Sequence, residues 1–278
     1  FRVAKLLGEG GFGQVVSVVK RDCGLTYAMK IQQKGALEEA FGDDWEGLAL
    51  TERQLLSSLR HALLVNLAYA FQTIDQLVLV MDACPNGDLS RYGAPSEIYP
   101  DEPRHKLEKE QVRFIAMEVC CIVKYLHSRH VLYRDLKCEN LLLDGLGHVR
   151  LIDFGVSKQG KGKGKRTTAK EQCGTKGYMA PEIHHVVETL EAYSYEADWF
   201  SYGVVVYELC EHAMPYGSDP LFVSLQDEFR NPLLLDEDGV DWAEVSQQRY
   251  IEICGMLGIP ISREKLKAEG DVSYVVAM

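Results

Sequence analysis

Short apolar runs separated by turns fill the first third of the chain. Residues 15–19 (VVSVV) and 26–31 (TYAMKI) are rich in β-branched and apolar side chains and predict strands. A helix is predicted over 48–59, where Leu48, Leu55, Leu56 and Leu59 recur near one face. Two more apolar runs follow, 63–71 and 77–81, before Cys84-Pro85-Asn86-Gly87-Asp88 breaks the pattern with turn chemistry. Beyond it the period becomes helical, with long amphipathic candidates over 110–127 and 199–210. The pattern predicts an α+β protein. A small β-rich domain spans 1–81, a hinge lies at 82–88, and a larger, mainly helical domain occupies 89–278. There is no internal repeat. One low-complexity segment, QGKGKGKR over 159–166, predicts a mobile, solvated loop.

Composition narrows the class. Of 278 residues, 46% are hydrophobic and 26% charged, which excludes disorder, collagen and coiled coil as dominant descriptions. Thirty basic against forty-one acidic residues leave a net charge of −11. That balance argues against a general nucleic-acid binder and is compatible with a basic partner. The eight cysteines form no CxxC pair, so zinc-ribbon and thioredoxin readings lose their support. Several sit in apolar runs, as in Val119-Cys120-Cys121-Ile122, which suits buried, reduced thiols in a cytoplasmic (or nuclear) protein. No apolar stretch approaches the roughly 20 residues that cross a bilayer, and no signal peptide is visible. The chain opens at Phe1, within what already reads as a strand, and so reads as an excerpt of a longer protein.

Candidate chemistry begins with Gly8-Glu9-Gly10-Gly11-Phe12-Gly13. Glycines let the backbone approach phosphate oxygens and offer amide donors. The same pattern also serves a plain hairpin turn or a dinucleotide-binding turn. The dinucleotide version should open a helix, whereas residues 15–19 read as strand, which favours a β-hairpin flap. Lys30 follows in an apolar strand, where a lysine is costly to bury unless paired. Glu52 on the predicted helix is the best-placed partner, with Glu46, Glu38 and Glu39 as alternatives; an unpaired edge-strand lysine is the plain reading. Downstream, Tyr133-Arg134-Asp135-Leu136-Lys137-Cys138-Glu139-Asn140 sets an aspartate and an asparagine five apart on a polar stretch. Then come Asp153-Phe154-Gly155, Cys173-Gly174-Thr175, Ala180-Pro181-Glu182 and Asp198-Trp199.

In this order these segments resemble the signature set of the eukaryotic protein kinases: glycine-rich loop, strand lysine, catalytic loop, DFG and APE. The resemblance covers roughly residues 1–217 and implies a bilobal fold, with a β-rich N-lobe and a helical C-lobe. It implies ATP and Mg2+ as cofactors. Gly8, Gly10 and Gly13 would cover the phosphates. Lys30 would grip them, with Glu52 fixing its ammonium. Asn140 and Asp153 would hold magnesium, Asp135 would accept the substrate hydroxyl proton, and Lys137 would neutralise the γ-phosphate. Val15, Ala28 and Leu142 would sandwich adenine beside Met81, Asp82 and Cys84, and Asp88 would lie near the ribose. Asp198 resembles the family residue that braces the catalytic loop; its plain reading is a helix N-cap before Trp199. Leu56, Leu67, Tyr133 and Phe154 match the family's regulatory spine.

Lys137 and Gly174-Thr175 resemble the serine/threonine kinases, and Tyr133 with Cys173 resembles the AGC group, which includes the cyclic-nucleotide-dependent kinases. Protein substrates follow, with serine or threonine sites and, from Asp88 and Glu139, basic residues upstream; separate regulatory domains or subunits fit the same family. A nucleotide-binding pseudokinase scaffold is the alternative. Three departures stand out. Glu171 occupies the position where AGC kinases carry a phosphorylated threonine, with Thr167 and Thr168 as rival phosphosites. Cys138 replaces a proline. Residues 236–278 do not match the family, so that Glu182 has only Arg249 and Arg263 as candidate partners.

Overall fold

The computed structural model describes residues 1–93, 106–162 and 166–215. They gather into two compact units, Phe1–Asp88 with Asn140–Ser157, and Leu89–Glu139 with Lys158–Met278, each taken over its described residues.

The first unit is built on an antiparallel sheet of order β1-β2-β3-β5-β4. Its strands are β1 Arg2–Gly10, β2 Gly13–Val19, β3 Thr26–Gln33, β4 Leu67–Gln72 and β5 Gln76–Asp82. Residues directly opposite share a face. The register sets Val16 against Met29 and Met29 against Val80. That face buries Val16, Val18, Met29, Val78 and Val80 as an apolar cluster. The other face carries Val15 opposite Lys30, and Ala28 opposite Met81. Helices α1 (Lys34–Phe41) and α2 (Trp45–Ser58) follow β3. α2 buries Leu55 and Leu56, as the predicted apolar stripe requires, together with Glu52.

The apolar run at 63–71 is a strand only from Leu67; Leu64 makes a single parallel bridge to Leu151. α1 was not foreseen, because eight residues with one buried leucine carry too little period.

In the second unit, α3 (Lys109–Ser128) opens with a capping box between Glu108 and Gln111. Two-residue strand β6 (Val131–Leu132) follows it. The short hairpin of β7 (Leu141–Leu143) and β8 (Val149–Leu151) belongs to the first unit. β9 (Lys158–Gln159) pairs with β6. Gln159 is therefore a strand residue, not part of the solvated loop predicted from 159; residues 163–165 of that loop lie outside the described ones.

Helices α4 (Pro181–Thr189) and α5 (Glu196–Glu211) complete the described chain. α5 buries Ala197, Val204, Val205, Val206 and Leu209 around its circumference, as a helix packed on several sides does. Leu132, Ala180, Ile183, Val186 and Tyr193 pack together as a buried apolar cluster in this unit. No helix among the described residues is long and apolar enough to cross a membrane. Arg249, Arg263 and residues 236–278 lie outside the described residues.

Candidate active site

The glycine segment folds as the tip of the β1–β2 hairpin, with Gly10 opposite Gly13. A Cβ on Gly8 or Gly10 would meet nothing within 4 Å. Gly13 differs. It holds φ 151°, and a Cβ there would sit 1.9 Å from the Ile31 carbonyl oxygen. Only glycine lets the hairpin lie this close to β3.

Lys30 points to the same sheet face as Val15. Its ammonium bonds Glu52 at 2.7 Å and Asp153 at 3.0 Å. Glu46, Glu38 and Glu39 are exposed on their helices and are not its partners. Asp153 is the partner that sequence reasoning missed. It comes from the segment after β8, 123 residues away. Burial works against the Lys30 ammonium, but the two carboxylates outweigh it and hold the group above its ordinary value. Burial pushes the Glu52 carboxyl up. Burial acts upward on Asp153 too, yet the Lys30 ammonium and the Gly155 N–H keep that carboxyl below its ordinary value.

Asn140 and Asp153 are brought together by the β7–β8 hairpin. Asn140 precedes Leu141, which pairs with Leu151, and the Ile152 N–H donates to the Asn140 carbonyl at 3.0 Å. Asp153 adopts φ 55°, a left-handed conformation that costs strain in an aspartate. One of its oxygens takes Lys30 and Gly155, and the side chain remains 42% exposed. Carboxylate and amide oxygens are hard donors of the kind magnesium prefers, and two such side chains with substrate oxygens are a usual magnesium set. The residues present fit the ion. Among the described residues no group of three or more His, Cys, Asp and Glu suits a metal by itself.

Met81 is buried at the end of β5, and Asp82 there accepts from Asn66 at 2.8 Å. Burial pushes the Cys84 thiol up to about 11. Asp88 and Leu142 form an isolated bridge that ties 82–88 to β7. The nucleotide candidates Gly8, Gly10, Gly13, Val15, Ala28, Lys30, Met81, Asp82, Cys84, Asp88 and Leu142 thus all fall in the first unit, with Asn140 and Asp153.

Asp135 and Lys137 belong to the second unit. The Thr175 hydroxyl donates to Asp135 Oδ1 at 2.6 Å and accepts from Lys137 Nζ at 2.7 Å. Lys137 lies 3.0 Å from the other Asp135 oxygen. The backbone ahead of Asp135 is held by Asp198, 1% exposed, which accepts the Tyr133 N–H at 2.9 Å and the Arg134 N–H at 2.8 Å. His127 Nε2 contacts the same carboxylate at 2.8 Å. The N-cap reading of Asp198 is incorrect: Tyr195 is the N-cap, and Asp198 lies inside the first turn. His127 was missed, since nothing in its helix marks it from the apolar neighbours.

The segment from 167 to 171 is fastened to residues 193–195. Ala169 and Tyr193 exchange backbone bonds, and Ser194 donates to the Thr167 carbonyl. Thr167 is 3% exposed, and its hydroxyl donates to the His130 carbonyl at 2.8 Å, so this rival phosphosite is enclosed; Thr168 is exposed. Glu171 bonds Arg134 at 3.0 Å and Lys158 at 2.8 Å. Partial burial acts upward on its carboxyl, but the Lys158 ammonium and nearby backbone N–H groups bring it down to about 2. Cys138 is fully buried, which removes the thiol from solvent and from redox chemistry in this conformation.

The pattern of the protein kinase domain matches residues 1–254. The eye isozyme of protein kinase C from Drosophila melanogaster is 38% identical over 220 residues, 79% of this chain and 29% of that protein. The human RAC-beta serine/threonine-protein kinase is 38% identical over 242 residues, 86% of this chain and 47% of its own. G protein-coupled receptor kinase 2 of Drosophila melanogaster is 38% identical over 216 residues, 78% of this chain and 28% of its own. The chain therefore spans less than half the length of each of these relatives. With the protein kinase pattern matched over most of its length and these relatives 38% identical to it, the chain belongs to the protein kinase family and resembles its serine/threonine members of the AGC group.

Proposed function

We propose that this chain transfers the γ-phosphoryl group of Mg-ATP to serine and threonine hydroxyls of proteins, preferring basic residues upstream of the site. The observation that carries the reading is the triangle of Asp135, Lys137 and the Thr175 hydroxyl. An aliphatic hydroxyl already donates to Asp135 at 2.6 Å, with a lysine cation 3.0 Å from the same carboxylate. A substrate hydroxyl in that place would give its proton toward Asp135, and Lys137 would offset charge on the phosphoryl oxygens.

In the first unit the Lys30 ammonium, aligned by Glu52, would bind nucleotide phosphates. Asn140 and Asp153 would hold magnesium, which when bound neutralises phosphate charge. The hairpin amides near Gly8, Gly10 and Gly13 would cover the phosphates, and Val15, Ala28, Met81, Cys84 and Leu142 would enclose the base. Asp88 and Glu139 supply the acidic groups for a basic substrate flank. The seven described cysteines are all free thiols, which suits a reducing cytoplasmic or nuclear setting.

Transfer of labelled γ-phosphate from Mg-ATP to a degenerate serine/threonine peptide library tests this. Transfer favouring upstream arginine or lysine, and absent from Asp135→Ala, is the expected result. A folded, ATP-binding chain without transfer would make it a pseudokinase.

A further inference from the structure

The tip of the glycine hairpin carries a large apolar ring, Phe12, that is 39% exposed. Its centroid lies 5.1 Å from that of Phe41, with the planes tilted by 41°. Phe41 is also more than a third exposed, so the rings cover each other instead of entering a core. Phe41 ends helix α1, and that helix is anchored at both ends. At its start the Lys34 N–H donates to the Asp75 carbonyl at 2.9 Å. The Lys34 ammonium reaches Gln72 Oε1 and the Thr73 carbonyl, each at 2.9 Å. Leu37, one turn before Phe41, is buried. At the end Gly42, with φ 58°, donates back to the Glu38 carbonyl and stops the helix. Phe41 is thus a fixed platform beside a hairpin tip joined to β3 by the bond from the Gln33 N–H to the Phe12 carbonyl, 2.8 Å.

We propose that Phe41 is a positioning residue for nucleotide: through Phe12 its ring holds the glycine hairpin down and slows nucleotide release. The inference rests on the ATP reading above. A nucleotide covered by the hairpin leaves when the tip lifts, and lifting parts the rings and exposes both faces to water. Neither ring carries a group that reacts with phosphate. The pair therefore acts on nucleotide affinity and release and leaves peptide binding alone.

Stopped-flow release of a fluorescent methylanthraniloyl-ADP from the full chain tests it. Phe41→Ala and Phe12→Ala should each speed release by about 3–10-fold, the range expected for one aromatic pair. Each should raise KM for ATP similarly, with KM for peptide unchanged. Phe41→Tyr should release at the parent rate, and the double alanine variant should match the single ones. An unchanged rate in Phe41→Ala would overturn the inference, as would additive effects in the double variant. A defect confined to Phe41→Ala and accompanied by a lower melting temperature would also overturn it, making Phe41 a support of α1 only. If the cooperatively folded parent chain bound no such nucleotide, the ATP reading itself would fall and this inference with it.

Discussion

The Arg134 guanidinium is bonded to the Glu171 carboxylate at 3.0 Å, next to the loop that carries Asp135. Arg134 is itself buried and holds φ 74°, so its backbone is strained and its charge needs a partner. Lys158, from the strand that pairs with β6, meets the same carboxylate. The carboxylate thus gives Arg134 a charged partner at this position, with less charge and fewer acceptor oxygens than a phosphate would bring there. Glu171→Ala should lower kcat about 3–30-fold, since charge-assisted bonds to a half-exposed carboxylate are lost. Phosphatase treatment of the parent should leave kcat unchanged. If dephosphorylation abolishes activity while Glu171→Ala is neutral, Glu171 has no such role.

The contact of Glu171 with Lys158 makes a pH prediction. The Glu171 carboxyl, with an ordinary value near 4.5, is held down to about 2 in the folded protein. A depressed carboxyl contributes its stabilisation above the unfolded value, and loses it as pH falls from there through about 2. Between pH 5.5 and 8 the contact should be constant, whereas a phosphate would change charge near pH 6. Carbon-13 NMR of the Glu171 side-chain carboxyl should show no titration above pH 4.

Asp198 satisfies two backbone N–H groups and His127 from inside α5. Asp198→Ala should cost about 3–5 kcal/mol, because it strands buried donors. Guanidinium unfolding should show the drop in midpoint. Asp198→Asn should fold better than the alanine variant yet transfer phosphate slowly, since one amide oxygen cannot hold both N–H groups in place.

Lys30→Met removes the ammonium between Glu52 and Asp153. With the cation gone, the two carboxylates repel, and the Glu52 carboxyl should take up a proton. Phosphoryl transfer should fall by about 100-fold or more, as expected when a preorganised charge on the phosphates is removed. The melting temperature should change far less than in Asp198→Ala.

The glycines should separate by their surroundings. Gly13→Ala drives a methyl into the Ile31 carbonyl and should disturb the β2–β3 register, seen as a lower melting temperature. Gly8→Ala and Gly10→Ala meet no neighbouring atom, so their melting temperatures should stay near the parent's. Any effect of theirs should appear in KM for ATP.

The hairpin, the strand lysine and helix α2 were legible because each leaves a dense local mark: spaced glycines, an apolar alternation, a leucine stripe. Charge and the cost of burial made Glu52 the best of several candidate partners for Lys30, and the resemblance to the protein kinases singled it out; the two side chains meet at 2.7 Å. The second partner, Asp153, was not legible as one, because only the meeting of β3 with the end of β8 brings it to Lys30. Thr175 was read as a mark of substrate class, and its hydroxyl bridge between Asp135 and Lys137 depends on a fold of the segment that no period encodes. Phe41 went unremarked for a similar reason. A phenylalanine near the end of a short, acidic stretch looks like any exposed apolar residue until the tip of the hairpin is placed against it.

The carboxylate of Asp198 makes the loop before Asp135 unlike other loops. The Tyr133 and Arg134 amides end on a side chain enclosed within α5, so they reach solvent only when that helix lets go. Hydrogen exchange at those two amides should be as slow as in the helix core. The geometry around Asp135 then lasts as long as α5 stays packed, and a change far along that helix would reach Asp135 as an opening rate.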